Sequence, residues 1–304
     1  MVLYSLNFAA TVIFVIIVCI YGENAVAVEL SSYLDNSEVL NPVKRSTGTK
    51  TLENSNTICG QENEKTTGWS RFPWIVAILM KDVGDLKYLC LGNLISSKTV
   101  IAAAHCVGNI ESKEIVISMN WNNLKDWSDA TNIDVEKIIL HPEFMIEQSS
   151  VADLAVLHLK QSIPPKDSVN PICMWQGPTD VDKIKDVSGA VISWGPNGKG
   201  SIKSIPKLIN VTVLSESTCI RSNNLVSLLL SNTTLCAKPE EDSDGMCIGD
   251  SGAGLMIKKG TTWMLRAIVI SIVGSPNDDG CYPNKNAIFT DTVSLDKWIR
   301  LNTL

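Results

Sequence analysis

The stretch Cys247–Gly254, CIGDSGAG, decides how the rest of this 304-residue chain is interpreted. It places Ser251 between small residues and directly after Asp250. Gly, Asp and Ser are also common in turns, so the stretch alone does not distinguish a nucleophile from a loop serine. A serine nucleophile needs a base to accept its proton and a carboxylate to orient that base. The interpretation therefore depends on whether the chain supplies these partners.

The chain has three histidines, and each has a structural as well as a catalytic interpretation. His105 lies in the small-residue stretch IAAAHC, His141 precedes a proline in LHPEF, and His158 lies in the apparent strand LAVLHL. The carboxylate candidate is Asp153, directly before the apolar run LAVL, a position that also suits a solvent-facing strand start. Taken one at a time, these residues do not settle the role of Ser251.

Composition and charge exclude several classes of protein. Hydrophobic residues make up 45% of the chain and charged residues 19%, which is typical of a globular protein rather than a disordered one. The net charge of −6 leaves no basic surplus, so we expect neither nucleic acid nor a membrane surface as a partner. The length allows one large β domain or two ordinary domains.

The N-terminal segment predicts secretion. The apolar run LNFAATVIFVIIVCIYG, Leu6–Gly22, is followed by AVA, so we predict a signal peptide over residues 1–27, cut after Ala27. An uncleaved membrane anchor is the alternative, since the run is nearly long enough to span a bilayer. Residues 28–58 are polar and predict a propeptide or linker, with Lys44-Arg45 as a candidate processing site. The mature protein is then extracellular.

The cysteines predict a disulfide framework. Of nine cysteines, Cys19 lies in the signal segment, and the remaining eight would form four disulfides in an oxidising compartment. Eight cysteines allow 105 pairings, so spacing alone leaves the connectivity open. The chain has no Cys-x-x-Cys motif and no histidine cluster, and we predict no metal and no cofactor. The sequons at Asn210 and Asn232 are candidate glycosylation sites.

Short apolar segments between turn residues predict an all-β fold, either a barrel or a sandwich. The segments are PWIVAILM, YLCLGNLI, TVIAAAHC, EIVISM, VEKIILH, LAVLHL, AVISW, INVTVL, WMLRAIVISIV and AIFTD. In the last segment, TDTVSLDKWIRL, the residues Val293, Trp298 and Leu301 have roughly helical spacing and predict a C-terminal helix.

Read together, AAHC, DLAVL and GDSG, in this order and at these separations, resemble the motifs of trypsin/chymotrypsin-like serine peptidases. FPWIVAI, HPEF, VISW and FTDTVSLDKWI resemble other parts of that family, and the likeness covers the predicted peptidase domain, Cys59–Leu304. It implies two six-stranded antiparallel β-barrels, a C-terminal helix and an active site between the barrels. NPICMWQG and GDSGAGL are similar to arthropod modular proteases of the gastrulation-defective type.

The resemblance also assigns roles to individual residues. It implies His105 as the base, Asp153 as its orienting carboxylate and Ser251 as the nucleophile, with the oxyanion bound by the amides of Gly249 and Ser251. It implies a disulfide pairing that uses all eight cysteines: Cys59–Cys173, Cys90–Cys106, Cys219–Cys236 and Cys247–Cys281.

The resemblance places the specificity pocket at Gly245, Ile272 and Ala287. An uncharged floor at Gly245 predicts a preference for apolar or small side chains, although a one-residue shift would bring in the charge of Asp244 and reverse that preference. Where the family carries a serine near the triad, this chain reads IVISIVG. Either Ile270 replaces that serine or Ser271 reaches the site by a shift.

Activation is where the chain departs from the family pattern. The resemblance implies a cut that frees an amine to pair with Asp250. Counting back from Phe72-Pro73-Trp74 places that cut near Gln61, where no basic residue precedes two aliphatic residues. A cut at Lys44-Arg45, upstream of Cys59, would free the wrong residue. The sequence therefore does not predict where the activating amine would come from.

Two functions from different classes follow. The first is a secreted serine endopeptidase acting on proteins or peptides through an acyl-enzyme, with an upstream activating protease and a protein inhibitor as partners, in an immune, developmental or venom cascade. The second is a non-catalytic homologue that uses the same scaffold as a binding or regulatory module. The intact His105, Asp153 and Ser251 favour the enzyme, and the missing activation sequence favours the binding module.

Overall fold

The computed structural model describes residues 59–64, 71–119, 130–145, 150–163, 170–193, 206–241, 243, 245–277 and 280–304. The predicted signal peptide (1–27), the predicted propeptide (28–58) with Lys44-Arg45, and Asp244 lie outside these residues.

The described part of the chain is built mainly of strands. The strands are β1 (Ile75–Asp82), β2 (Asp85–Ser96), β3 (Thr99–Ala102), β4 (Ile115–Met119), β5 (Thr131–Leu140), β6 (Ala155–Leu159), β7 (Cys173–Met174), β8 (Ser188–Ser193), β9 (Lys207–Leu214), β10 (Thr234–Pro239), β11 (Met246–Cys247), β12 (Gly254–Lys259), β13 (Thr262–Ile272), β14 (Cys281–Tyr282) and β15 (Ala287–Asp291). The α-helices are α1 (Glu216–Ser222) and α2 (Asp296–Leu301), and 3-10 turns occur at Ala104–Cys106, Ser112–Glu114, Val181–Lys183 and Asn224–Leu228.

The strands form two barrels. The first six close a barrel in the order β1-β2-β3-β6-β5-β4. Strands β12, β8, β9, β10, β15 and β13 form the second barrel, which the pairing of β12 with β13 closes. Strand β7 lies parallel to β13 at its edge, and β11 pairs with β14 as a separate ribbon. The predicted fold of two six-stranded antiparallel barrels is confirmed.

The burial pattern explains why these segments form strands. In β9 the side chains of Ile209, Val211 and Val213 are buried, and those between them are at least partly exposed, as the two-residue period of a strand requires. Strand β3 is buried along its whole length and continues into the fully buried Ala103 and Ala104. These small side chains allow the turn that carries His105 to approach the second barrel.

The second barrel contains a buried ion pair. Arg266 of β13 is fully buried and donates from Nη1 to the carboxylate of Asp291 on β15. Its Nη2 donates to the carbonyl of Thr179 at 3.3 Å. Asp291 also accepts from the amide of Val293 at 2.8 Å, so it fixes the start of the C-terminal segment.

The predicted C-terminal helix is confirmed as α2, and two of the three residues whose spacing predicted it, Trp298 and Leu301, lie within it. Ile299 is buried, whereas Leu301 is 75% exposed and Val293 precedes the helix.

Four disulfides link the described residues, and they are the pairs that the resemblance implied: Cys59–Cys173, Cys90–Cys106, Cys219–Cys236 and Cys247–Cys281. Within the described residues, no helix has the length and apolar character needed to cross a membrane.

Candidate active site

Three loops between strands carry the residues of the candidate triad. His105 lies in the 3-10 turn after β3, Asp153 lies just before β6, and Ser251 lies between β11 and β12. Strands β3 and β6 are direct neighbours and pair Ala102 with Ala155. The first barrel therefore fixes His105 and Asp153 relative to each other.

His105 and Asp153 form two hydrogen bonds. The main-chain amide of His105 donates to Oδ1 of Asp153 at 2.9 Å, and its Nδ1 lies 2.6 Å from Oδ2. The side chain of Asp153 is 1% exposed and that of His105 is 31% exposed. A buried carboxylate at Nδ1 favours the tautomer that leaves Nε2 unprotonated and able to accept a proton. This is the arrangement that a general base requires.

The backbone is strained directly before Asp153. Ala152 has φ +47°, a left-handed conformation that residues other than glycine adopt rarely. Its amide donates to Oγ1 of Thr233 at 2.9 Å, and Thr290 donates from Oγ1 to the carbonyl of Asp153 at 3.0 Å. Residues of the second barrel thus hold the loop that carries Asp153.

Ser251 is held against the first barrel by main-chain contacts. The amide of Leu91 donates to the carbonyl of Ser251 at 2.9 Å, and the side-chain amide of Asn93 donates to the carbonyl of Gly252 at 2.8 Å. Gly252 has φ +82°, and a Cβ there would lie 2.0 Å from the carbonyl oxygen of Leu91. Only glycine allows this close approach.

A disulfide connects this contact to the base. Cys90, next to Leu91 in β2, is bonded to Cys106, which follows His105. Nε2 of His105 lies 3.6 Å from Sγ of Cys106, and no hydrogen bond joins it to Ser251 Oγ among the described residues. Catalytic hydrogen bonds of this kind are often long before substrate binds. The structure therefore brings the Ser251 segment beside His105 without a direct serine–histidine bond.

The turn before Ser251 presents two main-chain donors. The amide of Asp250 donates to the carbonyl of Cys247 at 3.1 Å and closes a four-residue turn in which Gly249 has φ +100°. A positive φ at the third position is typical of a type II turn. In the described part of the chain, the amides of Gly249 and Ser251 donate to no acceptor. Two unpaired amides at this spacing suit an oxyanion.

Tyr88 of β2 contacts the same turn, and sequence analysis missed it. Its hydroxyl donates to the carbonyl of Gly249 at 2.7 Å. Burial, and after it the charge of Asp250, raise the pKa of Tyr88 well above its usual range, so the hydroxyl keeps its proton. The carboxylate of Asp250 accepts from the amide of Cys247 at 2.7 Å. No local pattern marks Tyr88, since its partner lies 161 residues away.

Strand pairing brings together two of the three residues that were predicted to form the specificity pocket. Ile272 of β13 and Ala287 of β15 are direct cross-strand partners. Gly245 precedes β11 with φ +73°, and a Cβ there would lie 2.2 Å from the carbonyl oxygen of Tyr282. This position therefore accepts only glycine and carries no charge.

The register of β13 slips by one residue between Val269 and Ser271. Ile270 is buried at that irregularity, and Ser271 pairs with Ile288 instead of bonding to Asp153 within the described residues. The structure thus favours replacement of the family's serine by Ile270 over a shift of Ser271 into the site.

The segment after Cys59 is docked on the second barrel. The carbonyl of Gly60 accepts from the amide of Trp263 at 2.8 Å, and Gln61 donates from its side chain to Oγ1 of Thr262 at 3.1 Å. Gly60 has φ +66°, and an added Cβ would lie 2.1 Å from the carbonyl oxygen of Trp263. The region where the family is normally cut is therefore held against the hairpin of β12 and β13.

Glu62 anchors the same segment. Its side chain is 4% exposed and forms ion pairs with Arg71, at 2.8 Å, and with Lys258 of β12. Burial alone would raise the pKa of Glu62, but hydrogen bonds from Lys258 and Arg71 hold it below its ordinary value of 4.5. The carboxylate is therefore ionised at neutral pH and ties the segment to both flanking cations.

The other two histidines have structural environments. Nε2 of His158 lies 2.7 Å from the carbonyl oxygen of Asn302, and the ring of His141 packs edge-on against Trp298 with centroids 4.7 Å apart. Within the described ranges, the one group of potential metal ligands is Cys90, His105 and Cys106. Its two sulfurs are bonded to each other, so they are not thiolate ligands.

Comparison with known proteins identifies the family. The family model for trypsin matches residues 58–299. The chain belongs to the trypsin family. It is similar to serine protease gd of Drosophila melanogaster, with 30% identity over 75% of this chain and 50% of that protein. It is also similar to the clotting factor G beta subunit of Tachypleus tridentatus, with 23% identity over 75% of each chain.

A third relative has a similar sequence identity to this chain. Phenoloxidase-activating factor 1 of Holotrichia diomphalia is 24% identical over 76% of this chain and 66% of its own length. The chain thus spans only half of serine protease gd and about two thirds of this factor. The family membership agrees with the resemblance, and the three relatives are named as a serine protease, a clotting factor subunit and a phenoloxidase-activating factor.

Proposed function

We propose that this trypsin-family chain is a secreted serine endopeptidase that works through His105, Asp153 and Ser251. The observation that carries the proposal is the pairing of His105 with the buried Asp153, together with the amides of Gly249 and Ser251, which donate to no acceptor among the described residues. A base with its orienting carboxylate and an empty pair of oxyanion donors have no evident use in a binding module.

The proposed chemistry is acyl transfer. Ser251 Oγ attacks the carbonyl carbon of the scissile bond while His105 Nε2 takes the hydroxyl proton, and the carbonyl electron pair moves to an oxyanion bound by the two amides. The C–N bond then breaks, and the leaving amine takes the proton from His105. Water, activated by the same histidine, releases the acyl group and restores Ser251.

For substrate preference we propose apolar or small side chains before the scissile bond. The uncharged Gly245, where the structure has no room for a side chain, and the Ile272–Ala287 pair support an apolar pocket. A panel of peptide p-nitroanilides that differ only in this residue would test the preference. Faster cleavage after Arg or Lys than after Ala, Val or Leu would contradict it.

We propose that the enzyme acts outside the cell, in an arthropod proteolytic cascade. The four disulfides are typical of an oxidising compartment, and two relatives are named for clotting and for the activation of phenoloxidase, which supports a role in a proteolytic cascade. Asn210 and Asn232 are exposed, as glycosylation would require. An activating protease and a protein inhibitor are the partners that such a role implies.

A fluorophosphonate probe tests the proposed function directly. Attack by Ser251 Oγ forms an O–P bond and expels fluoride, so labelling requires an activated serine. We expect the secreted chain to be labelled and the Ser251→Ala variant not to be. Failure of the wild type to label, before and after treatment with trypsin-like or chymotrypsin-like proteases, would support the non-catalytic binding homologue instead. The docked Gly60–Gln61 segment and the missing serine–histidine bond are the observations that favour that alternative.

A further inference from the structure

The direction of the Gly249 amide depends on the turn staying in one form. A type II turn has φ of about +80° at its third residue, a type I turn about −90°, and the peptide between the two central residues points in opposite directions in the two forms. Gly249, at +100°, has the former. Glycine adopts both signs of φ about equally well, so the residue does not by itself hold this form.

Besides the bond from the amide of Ile248 to the carbonyl of Gly280, at 2.9 Å, two hydrogen bonds hold the turn. The carboxylate of Asp250 accepts from the amide of Cys247 at 2.7 Å, within the turn itself. The hydroxyl of Tyr88 donates to the carbonyl of Gly249, also at 2.7 Å, and comes from the first barrel. The ring of Tyr88 also provides the nearest atom that a Cβ on Gly249 would meet, at 3.7 Å. Tyr88 thus contacts the turn at the residue whose φ decides its form.

Strand β2 gives Tyr88 a rigid support. Leu79 of β1 pairs with Tyr88, and its neighbour Ile78 pairs with Cys90, so Leu89 forms a β-bulge between them. Bulges re-aim side chains and are frequent next to active sites. Cys90, beyond the bulge, is bonded to Cys106 beside His105. One strand therefore positions both the hydroxyl at Gly249 and the disulfide at the base.

We propose that Tyr88 is a positioning residue that holds the Cys247–Asp250 turn so that the Gly249 amide faces the oxyanion. This inference rests on the proposed peptidase function. It also explains how the turn keeps its form while the segment around Gln61 stays docked on the second barrel. The contact comes from a tyrosine of the first barrel and needs no cut in the chain.

The test uses Tyr88→Phe in the full chain, because phenylalanine keeps the ring and removes only the hydroxyl. With an alanine or leucine p-nitroanilide, we expect kcat to fall about threefold to tenfold, the range for one net hydrogen bond, with KM unchanged. By native-state hydrogen exchange, we expect the Asp250 amide to exchange faster than in the wild type. Ser294→Ala removes another hydroxyl-to-carbonyl hydrogen bond, of 2.8 Å, and should change neither quantity.

A double-mutant cycle separates positioning from general destabilisation. Gly249→Ala has space for its methyl group but penalises the positive φ. If Tyr88 acts through that φ, the losses in kcat from Tyr88→Phe and Gly249→Ala are less than additive. Fully additive losses would overturn the inference.

The outcomes distinguish this inference from the proposed function. Unchanged kcat in an active Tyr88→Phe enzyme overturns the role of Tyr88 and leaves the peptidase intact. If the wild type is neither labelled nor active, the rate of hydrogen exchange at the Asp250 amide alone tests the role of Tyr88. Faster exchange in the variant would then support Tyr88 as the residue that holds the turn, although the peptidase proposal fails. Equal exchange would overturn the role of Tyr88 as well.

Discussion

His105 and Asp153 are joined twice, once through the histidine amide and once through Nδ1, so the carboxylate fixes both the backbone and the ring of the base. The second bond is the one that selects the tautomer. The first bond involves the main chain of His105 and not its ring, so it keeps the loop in place when the ring is altered.

Asp153→Asn should therefore keep the position of the His105 loop while changing the tautomer of the ring. The amide side chain can still accept from the His105 amide, but it favours the wrong tautomer of the ring. We expect kcat/KM to fall by about 10⁴-fold with little change in the melting temperature. Steady-state kinetics and thermal unfolding measure the two effects. A small loss of activity would mean that Asp153 is not the orienting carboxylate.

Acid should weaken the Glu62 anchor. The folded-state pKa of Glu62 lies below 4.5, so its stabilisation is present above the unfolded-state pKa and is lost as the pH falls through the folded value. Glu62→Gln should lower the free energy of unfolding by about 1 kcal/mol near neutral pH, since both cations are partly exposed. The difference from the wild type should shrink below pH 4.5.

Urea unfolding at several pH values measures this difference. Glu111→Gln, which removes an exposed partner of Lys113, is the matched control and should have almost no effect. A Glu62→Gln difference that grew on acidification would contradict the assigned sign.

Gly245 and Gly260 form a matched pair for testing the pocket. Both have positive φ, +73° and +62°, but a Cβ meets the carbonyl of Tyr282 only at Gly245. Alanine at either position pays a similar backbone cost of about 1 kcal/mol. We expect Gly245→Ala to lose further stability and to raise KM, and Gly260→Ala to leave KM unchanged. Equal effects on both quantities would show that the close contact at Gly245 is unimportant.

Among the charged residues of the second barrel, we expect substitution of Arg266 to lower the free energy of unfolding the most. Arg266→Met leaves Asp291 buried without its cation, and we expect a loss of about 3–5 kcal/mol in the free energy of unfolding. Arg300→Met removes an exposed pair with Asp296 in helix α2 and should cost at most about 0.5 kcal/mol. Denaturant unfolding of both variants checks the contrast, and similar losses would refute it.

Local patterns predicted the long strands, because apolar runs are properties of neighbouring residues, whereas the roles proposed for His105, Asp153 and Ser251 came from the resemblance of their motifs to the family. Local patterns did not predict β7, β11 or β14, which have two residues each and exist only through distant pairing. Arg266 lies within the apolar run WMLRAIVISIV, and its burial depends on Asp291, 25 residues away. The contact of Tyr88 was not predicted for the same reason, because it depends on a β-bulge and on a carbonyl that is distant in sequence.

The hydrogen bonds from Leu91, Asn93 and Tyr88 to the Gly249–Gly252 loop, and from Thr290 to Asp153, all cross from one barrel to the other. The loops that carry the candidate triad are thus also the loops that hold the two barrels together. The rate of the proposed peptidase reaction would therefore report how well the two barrels are packed against each other. A condition that separates the two barrels would abolish the proposed activity, because it would move the loop of Ser251 away from His105 and Asp153.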